Sequence, residues 1–205
     1  MPSTPPISAV ILAGGKGKRL GAEKAFLALP GRRPLIEEAV NCLAQVAAEV
    51  LVVSARLDGY QRLPARLVED ARPGTGALGG LYSGLQAANY DYCLAVACDM
   101  PFLSLGLLRY MVGLPRDYDV LVPKLDSYLE PLHAVYSRRC LGAIENRLSA
   151  GDLRIVGFFD QVRVRYLARH ELEAYDPQLL SLFNINTPEQ LDYARHVARG
   201  SQARP

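Results

Sequence analysis

Four stretches of this sequence combine residue types that could do chemistry. The first, residues 12–24, reads Leu-Ala-Gly-Gly-Lys-Gly-Lys-Arg-Leu-Gly-Ala-Glu-Lys. Its four glycines let the backbone fold tightly and turn N–H groups toward an anion. Lys16, Lys18, Arg19 and Lys24 stand against Glu23 alone, in a chain whose total charge is only +2. Such local concentration points to a polyphosphate ligand, with a solvated surface loop as the plain alternative. Two familiar phosphate loops do not fit. The Gly-x4-Gly-Lys-Ser/Thr loop fails because Arg19 follows Lys18 and the spacing is wrong. The Gly-x-Gly-x-x-Gly dinucleotide fingerprint fits Gly15 and Gly17 but meets Leu20 at its third position, and the next strand ends at Ser54 rather than at an acidic residue.

The second stretch is Asp99-Met100-Pro101-Phe102, after the apolar run 92–98. A carboxylate leaving a buried strand suits a magnesium ion, which takes one or two carboxylates plus substrate phosphates and water. It would equally serve to cap the turn that Pro101 shapes. The third stretch begins at Asp70 and runs through Gly74, Gly76, Gly79 and Gly80. A ligand or another backbone would approach this turn closely; close packing alone is the other account. The fourth is Phe183-Asn184-Ile185-Asn186-Thr187-Pro188-Glu189, where two asparagines two apart on an extended segment face the same way. They could hold a polar ligand or serve as turn and cap residues. Glu130-Pro131-Leu132-His133 is harder to read. His133 as a general base stands against a core histidine bonded to backbone.

The elements that must position these residues follow from periodicity. Residues 7–13, 50–53, 65–70, 92–98, 119–122, 129–135 and 162–167 read as strands, several of them apolar throughout. Helical spacing appears over 35–48, 78–88 and 138–148, and in a segment opened by Ser104 as N-cap. A last helix opens with Thr187, Pro188 and Gln190, a capping-box pattern. Apolar strands alternating with helices predict an α/β fold: a Rossmann-like three-layer sandwich with a mostly parallel central sheet covered on both faces. In such sheets ligands bind beyond the carboxyl ends of the strands, where all these motifs fall.

Composition sets the outer bounds. With 205 residues, half of them hydrophobic, the chain is expected to form one domain over 1–205, with a core over about 7–198 and polar tails. Its 23 basic and 21 acidic residues are too balanced for nucleic acid or an anionic membrane as main partner. No apolar run approaches the ~20 residues of a membrane span, and residues 1–6 lack the cations of a signal peptide. A cytoplasmic location is therefore expected. The four cysteines, Cys42, Cys93, Cys98 and Cys140, form no Cys-x-x-Cys pair and read as reduced, buried hydrophobes. The three histidines show no zinc-ligand spacing.

Taken together, the Leu12-Ala13-Gly14-Gly15 motif with Arg19, Gly21 and Lys24, the Asp99-Met100-Pro101 motif, and the Asn184–Glu189 ending resemble the molybdenum cofactor guanylyltransferase family. That family lies within the nucleotidyltransferases of glycosyltransferase-A-like fold, whose sheet is mixed. The resemblance covers about residues 7–198. It implies that Leu12, Ala13 and Gly14 hold base and ribose through backbone groups, and that Gly15, Arg19 and Lys24 lie along a triphosphate. It further implies nucleotide contacts from Ser54 and Asp70, Mg²⁺ on Asp99, and an acceptor, molybdopterin, against Asn184 and Asn186. Arg19, Lys24 and Asp99 become the catalytic group and GTP the donor, with molybdoenzyme maturation proteins as further partners. One departure concerns the base: the family often has Gly-Pro-Leu-x-Gly where this chain has Gly76-Ala77-Leu78-Gly79-Gly80. Cytidylyl transfer to the same acceptor, nucleotidyl transfer to a sugar phosphate, and a non-catalytic nucleotide-binding carrier remain the alternatives. The residues suit the chemistry, because a terminal phosphate nucleophile has a second pKa of about 6 and needs no general base.

Overall fold

The computed structural model describes residues 5–13 and 24–202, with side chains described as far as residue 200. Four strands follow one another in parallel. β1 (Ser8–Leu12) is buried at every position and lies between β2 (Glu49–Ser54) and β4 (Tyr92–Ala97), with β3 (Arg66–Glu69) outside β2. Runs such as Val50-Leu51-Val52-Val53 suit this place because a parallel strand is covered on both faces. Beyond β4 the sheet turns mixed. β7 (His133–Ser137) pairs antiparallel with β4, and β5 (Val120–Leu125) antiparallel with β7. β8 (Val164–Ala168) runs parallel to β5 on its other side. The α/β, mostly parallel but mixed sandwich expected from the sequence is the observed fold.

Side-chain alternation along β1 divides the core. Ala9 and Ile11 join α1 (Leu35–Leu43) and α3 (Leu105–Gly113) on one face. Val10 and Leu12 join α2 (Gly76–Ala87), α4 (Leu141–Ser149) and a 3-10 segment, Ile155–Gln161, on the other. A short α5 (Arg169–Glu173) follows β8, and α6 (Pro188–Gln202) closes a smaller cluster of Leu191, Ala194 and Ala198 with Leu29, Leu35 and Ile185. Among the described residues, no helix is long and apolar enough to cross a membrane.

Two departures from the sequence reading have a clear physical cause. The helix expected over 35–48 stops at Leu43, because the Ala48 N–H must reach the Ile7 carbonyl to lead the chain into β2. The strand expected over 129–135 is broken into β6 (Tyr128–Leu129) and β7. Both pair with β5, but the three steps from Lys124 to Leu121 are matched by six from Leu129 to Val135. Pro131 has no N–H to give a ladder, so the surplus residues bulge out of the sheet. The bulge is pinned: Glu130 N–H donates to Pro123 O (3.1 Å), Ala97 N–H to Leu132 O (3.1 Å) and Tyr136 O–H to Pro131 O (2.6 Å). It lifts Glu130 beside the end of β4, where Asp99 emerges. The 3-10 segment and α5 had no counterpart in the reading.

Candidate functional site

Two groups of residues gather beyond the carboxyl ends of the parallel strands. The first centres on Asp99, two residues past β4. Its Oδ2 lies 2.8 Å from Lys24 Nζ, which also donates to Asn186 Oδ1 at 2.6 Å. The side chains of Lys24 and Asp99 are only 18% and 15% exposed, so this ion pair is sheltered enough to escape most solvent screening. Each member comes from a different element. Lys24 opens a 3-10 turn, Lys24–Phe26, whose Ala25 is buried in the core. Asn186 lies just before α6. There Gln190 Oε1 accepts from the Asn186 and Thr187 N–H groups while Thr187 Oγ1 accepts from Gln190 N–H, so the capping box fixes the asparagine's backbone. Ile185, fully buried, donates its N–H to Asp99 O at 3.0 Å. The alternation expected of the two asparagines holds, because both line one cavity while Ile185 points into the core.

That cavity, of about 530 Å³, is lined by Asp99, Asn184 and Asn186 together with the bulge between β6 and β7 and with Ile155 and Val156. Its deepest polar group is Glu130, 3% exposed. Glu130 Oε2 accepts from Tyr128 O–H (2.6 Å) and Asn184 Nδ2 (3.1 Å), and Oε1 accepts from Leu132 N–H (3.2 Å). Burial pushes its carboxyl above the ordinary range against the pull of these hydrogen bonds, and the charge of Asp99 adds to the rise. Sequence reasoning left Glu130 without a role. The available signal was an acidic residue followed by proline inside an otherwise apolar strand pattern, which marks a bulge. His133, the other residue of that motif, is fully buried in β7 and does not line the cavity. The expected backbone hydrogen bond is absent as well, since neither ring nitrogen finds a partner among the described residues. Desolvation lowers its pKa to about 4, with Asp176 opposing.

The second group lies at the ends of β1, β2 and β3. Asp70 N–H donates to Ser54 O (2.9 Å), and Asp70 Oδ1 accepts from Arg72 N–H (2.9 Å) and Ser83 Oγ–H (2.8 Å). Ser54 Oγ accepts from Arg56 N–H at 3.3 Å. Leu12 O accepts from Cys98 N–H, Ala13 N–H donates to Val53 O, and Ala13 O accepts from Tyr60 O–H at 3.4 Å. The backbone expected to hold the base is thus already tied to its neighbours, with second carbonyl lone pairs left for a ligand. In the glycine-rich turn, packing accounts for Gly79, where a Cβ would strike Thr75 Oγ1 and the Arg72 carbonyl. Gly74 and Gly76 instead have φ of +87° and +68° with open space around them, and shape the turn. The sequence-derived candidates Gly14, Gly15 and Arg19 lie outside the described residues.

A divalent cation fits the first group. The Asp99 carboxylate and the Asn186 amide oxygen are hard oxygen donors that converge on the Lys24 ammonium, so a cation already occupies their focus. No cluster of three or more His, Cys, Asp or Glu among the described residues could hold a metal. Further oxygens would have to come from substrate phosphates and water, as is usual for a nucleotide-bound cation.

Comparison with known proteins addresses the family and the fold. A family profile described as the MobA-like NTP transferase domain matches residues 9–164. A probable molybdenum cofactor guanylyltransferase of Pelotomaculum thermopropionicum is 41% identical over 193 residues, 94% of each chain. A molybdenum cofactor guanylyltransferase of Desulfosudis oleivorans is 37% identical over 96% of this chain and 98% of its own. Among solved structures, molybdopterin-guanine dinucleotide biosynthesis protein A of Archaeoglobus fulgidus superposes with a TM-score of 0.83 at 28% identity, over 95% of this chain and 100% of that one. A cytidylyltransferase acting on 2-C-methyl-D-erythritol 4-phosphate, from Thermus thermophilus, superposes with a TM-score of 0.71 at 21% identity, which speaks to fold alone. Fold and site thus define a nucleotidyltransferase enzyme. Within that class, the chain belongs to the molybdenum cofactor guanylyltransferase family.

Proposed function

We propose that the protein transfers GMP from GTP to the terminal phosphate of molybdopterin, releasing pyrophosphate and forming the guanine dinucleotide cofactor, with Mg²⁺ as the metal. The observation that carries this reading is the convergence of Lys24, Asp99 and Asn186 at the mouth of a cavity that also contains Asn184. In the reaction, an oxygen of the acceptor phosphate forms a bond to the α-phosphorus of GTP while the bond from that phosphorus to the bridging oxygen of pyrophosphate breaks. No proton need be removed from the nucleophile. The protein's task is to hold two anions in line and to offset the charge that builds on pyrophosphate.

Each residue has a part in that task. Asp99, with Asn186 oxygen nearby, would hold Mg²⁺, which when bound supplies charge neutralisation to the phosphates. Lys24 presents its ammonium beside them, and Arg19 with Gly15 is assigned to the same triphosphate. Leu12, Ala13, Gly14, Ser54 and Asp70 are assigned to the nucleoside, and Asn184 and Asn186 to the acceptor. The single sheet running through the fold supports one nucleotidyltransferase domain over 1–205, and a cytoplasmic location is part of the same proposal. Handing the product to molybdoenzyme maturation proteins completes the proposal.

The test is transfer of label. GTP labelled at its α-phosphate, mixed with the protein, Mg²⁺ and molybdopterin, should pass the label into a molybdopterin-containing product as pyrophosphate appears. Label that remains in GTP, or emerges only as GMP, contradicts the proposal.

A further inference from the structure

Glu130 is a buried carboxylate in the cavity wall, and the first three residues of its motif are devoted to placing it. An acidic side chain 3% exposed is costly unless it is paired or fully hydrogen-bonded. Among the described residues no cation pairs with it. Its donors are the Tyr128 hydroxyl, the Asn184 amide and the Leu132 N–H. Pairing with β5 breaks at this point, and the bulge is pinned to β4 and β5 through Leu132 O and the Glu130 N–H. A leucine here would fill the wall without the desolvation cost. The retained carboxylate therefore calls for a partner that wants acceptors.

Counting lone pairs says what kind of partner. A carboxylate offers about four acceptor positions, and three are taken, leaving one on Oε1. Asn184 gives its Nδ2 hydrogens to Glu130 Oε2 and to Leu182 O, at 3.1 and 3.4 Å. That fixes which end of the amide is which and leaves Oδ1 with no donor among the described residues. Glu130 and Asn184 thus present acceptors, and no donor, to the cavity they both line. Asn186 differs, because its oxygen is engaged by Lys24 and its Nδ2 stays available to an anion. Apart from Asp99, Ser127 and Tyr128, the remaining wall is apolar, formed by Leu129, Pro131, Leu132, Ile155 and Val156. An apolar slot with acceptors at one end suits a flat heterocycle that carries adjacent N–H donors.

We infer that Glu130 is a specificity-determining residue, which with Asn184 reads the N3–H and 2-amino edge of the acceptor's pyrimidinone ring. The inference rests on the acceptor proposed above. A pterin carries that donor pair, and replacing the 2-amino group by oxygen, as in a lumazine, removes one donor and sets an oxygen against the carboxylate. Hydrogen bonds to a charged group are worth about 1.5–3 kcal/mol, so the preference should be roughly tenfold or more.

The experiment compares 6-carboxypterin and 6-carboxylumazine as competitors of molybdopterin in the full-length protein, for the wild type and for Glu130→Gln. Thermal midpoint and KM for GTP serve as controls for folding. The wild type should prefer the pterin at least tenfold. The variant should lose that preference and show a raised KM for molybdopterin, with KM for GTP unchanged. If Glu130→Gln fails to fold, Glu130→Asp withdraws the same oxygens by one methylene and is read in the same way. A folded variant that keeps the wild-type preference overturns the role of Glu130 while leaving the acceptor reading intact. A wild type that binds neither competitor and does not use molybdopterin overturns both.

Discussion

Asp99 and Lys24 occupy the point where the proposed chemistry is concentrated, and they answer to different tests. Asp99→Ala should lower turnover by at least about a hundredfold, the scale seen when a preorganised charge-stabilising group is lost. The fold should persist, because Asp99 lies past the end of β4 rather than within it. Circular dichroism beside a rate assay checks both halves, and a folded variant with normal turnover would remove Asp99 from the site. His133 offers a test of stability instead. Its folded pKa of about 4 lies below the ordinary 6.5, so between these values the unfolded chain binds the extra proton. Stability from this residue is complete above pH 6.5 and falls as pH drops toward 4, by roughly 3 kcal/mol in all. Urea denaturation of His133→Leu should show a shallower acid limb than the wild type over that window; identical limbs would contradict this account. The residue scale was also the least legible in the sequence. Asp99, Asn184 and Asn186 could be marked because they leave strands or flank a cap. Glu130 left only the signal of an acidic residue before Pro131 inside an apolar run, and its place in the cavity depends on a register change between β5 and its partners.

At the scale of elements, sheet and helices meet through contacts the sequence only partly announces. The strands were legible because β1, β2 and β4 are apolar at almost every position, the signature of burial on both faces. Helix ends were harder, since α1 stops for a tertiary hydrogen bond rather than for a local breaker. Ser104 was an exception. Its Oγ accepts from Leu107 N–H at 3.3 Å, as an N-cap should. Packing of α2 on the sheet depends on Gly84, where a Cβ would run into the side chains of Val10 and Val53, both buried. Alanine is the better helix former by about 1 kcal/mol, but overpacking of this kind costs about 1–3 kcal/mol. Gly84→Ala should therefore lower stability on balance. Gly113→Ala, where a Cβ meets nothing within 4 Å, should be neutral or slightly stabilising. Chemical denaturation of the two variants side by side decides this, and equal effects would contradict the packing account.

Across the whole molecule, the switch from parallel to antiparallel pairing at β4 and β7 is what joins the two halves of the site. The parallel half, β3-β2-β1-β4, sends Asp70, Ser54, Ala13 and Asp99 toward one edge. The antiparallel half brings the Glu130 bulge against that edge, and the segment before α6 returns Asn184 and Asn186 to it. In the proposed reaction, donor and acceptor would approach Asp99 from two sides. The most direct measurement is pyrophosphate release by the purified protein with Mg²⁺ and molybdopterin, run in parallel with GTP, CTP, ATP and UTP. The account predicts release with GTP and little with the other three. Release with CTP in place of GTP, or with none of the four, would contradict it.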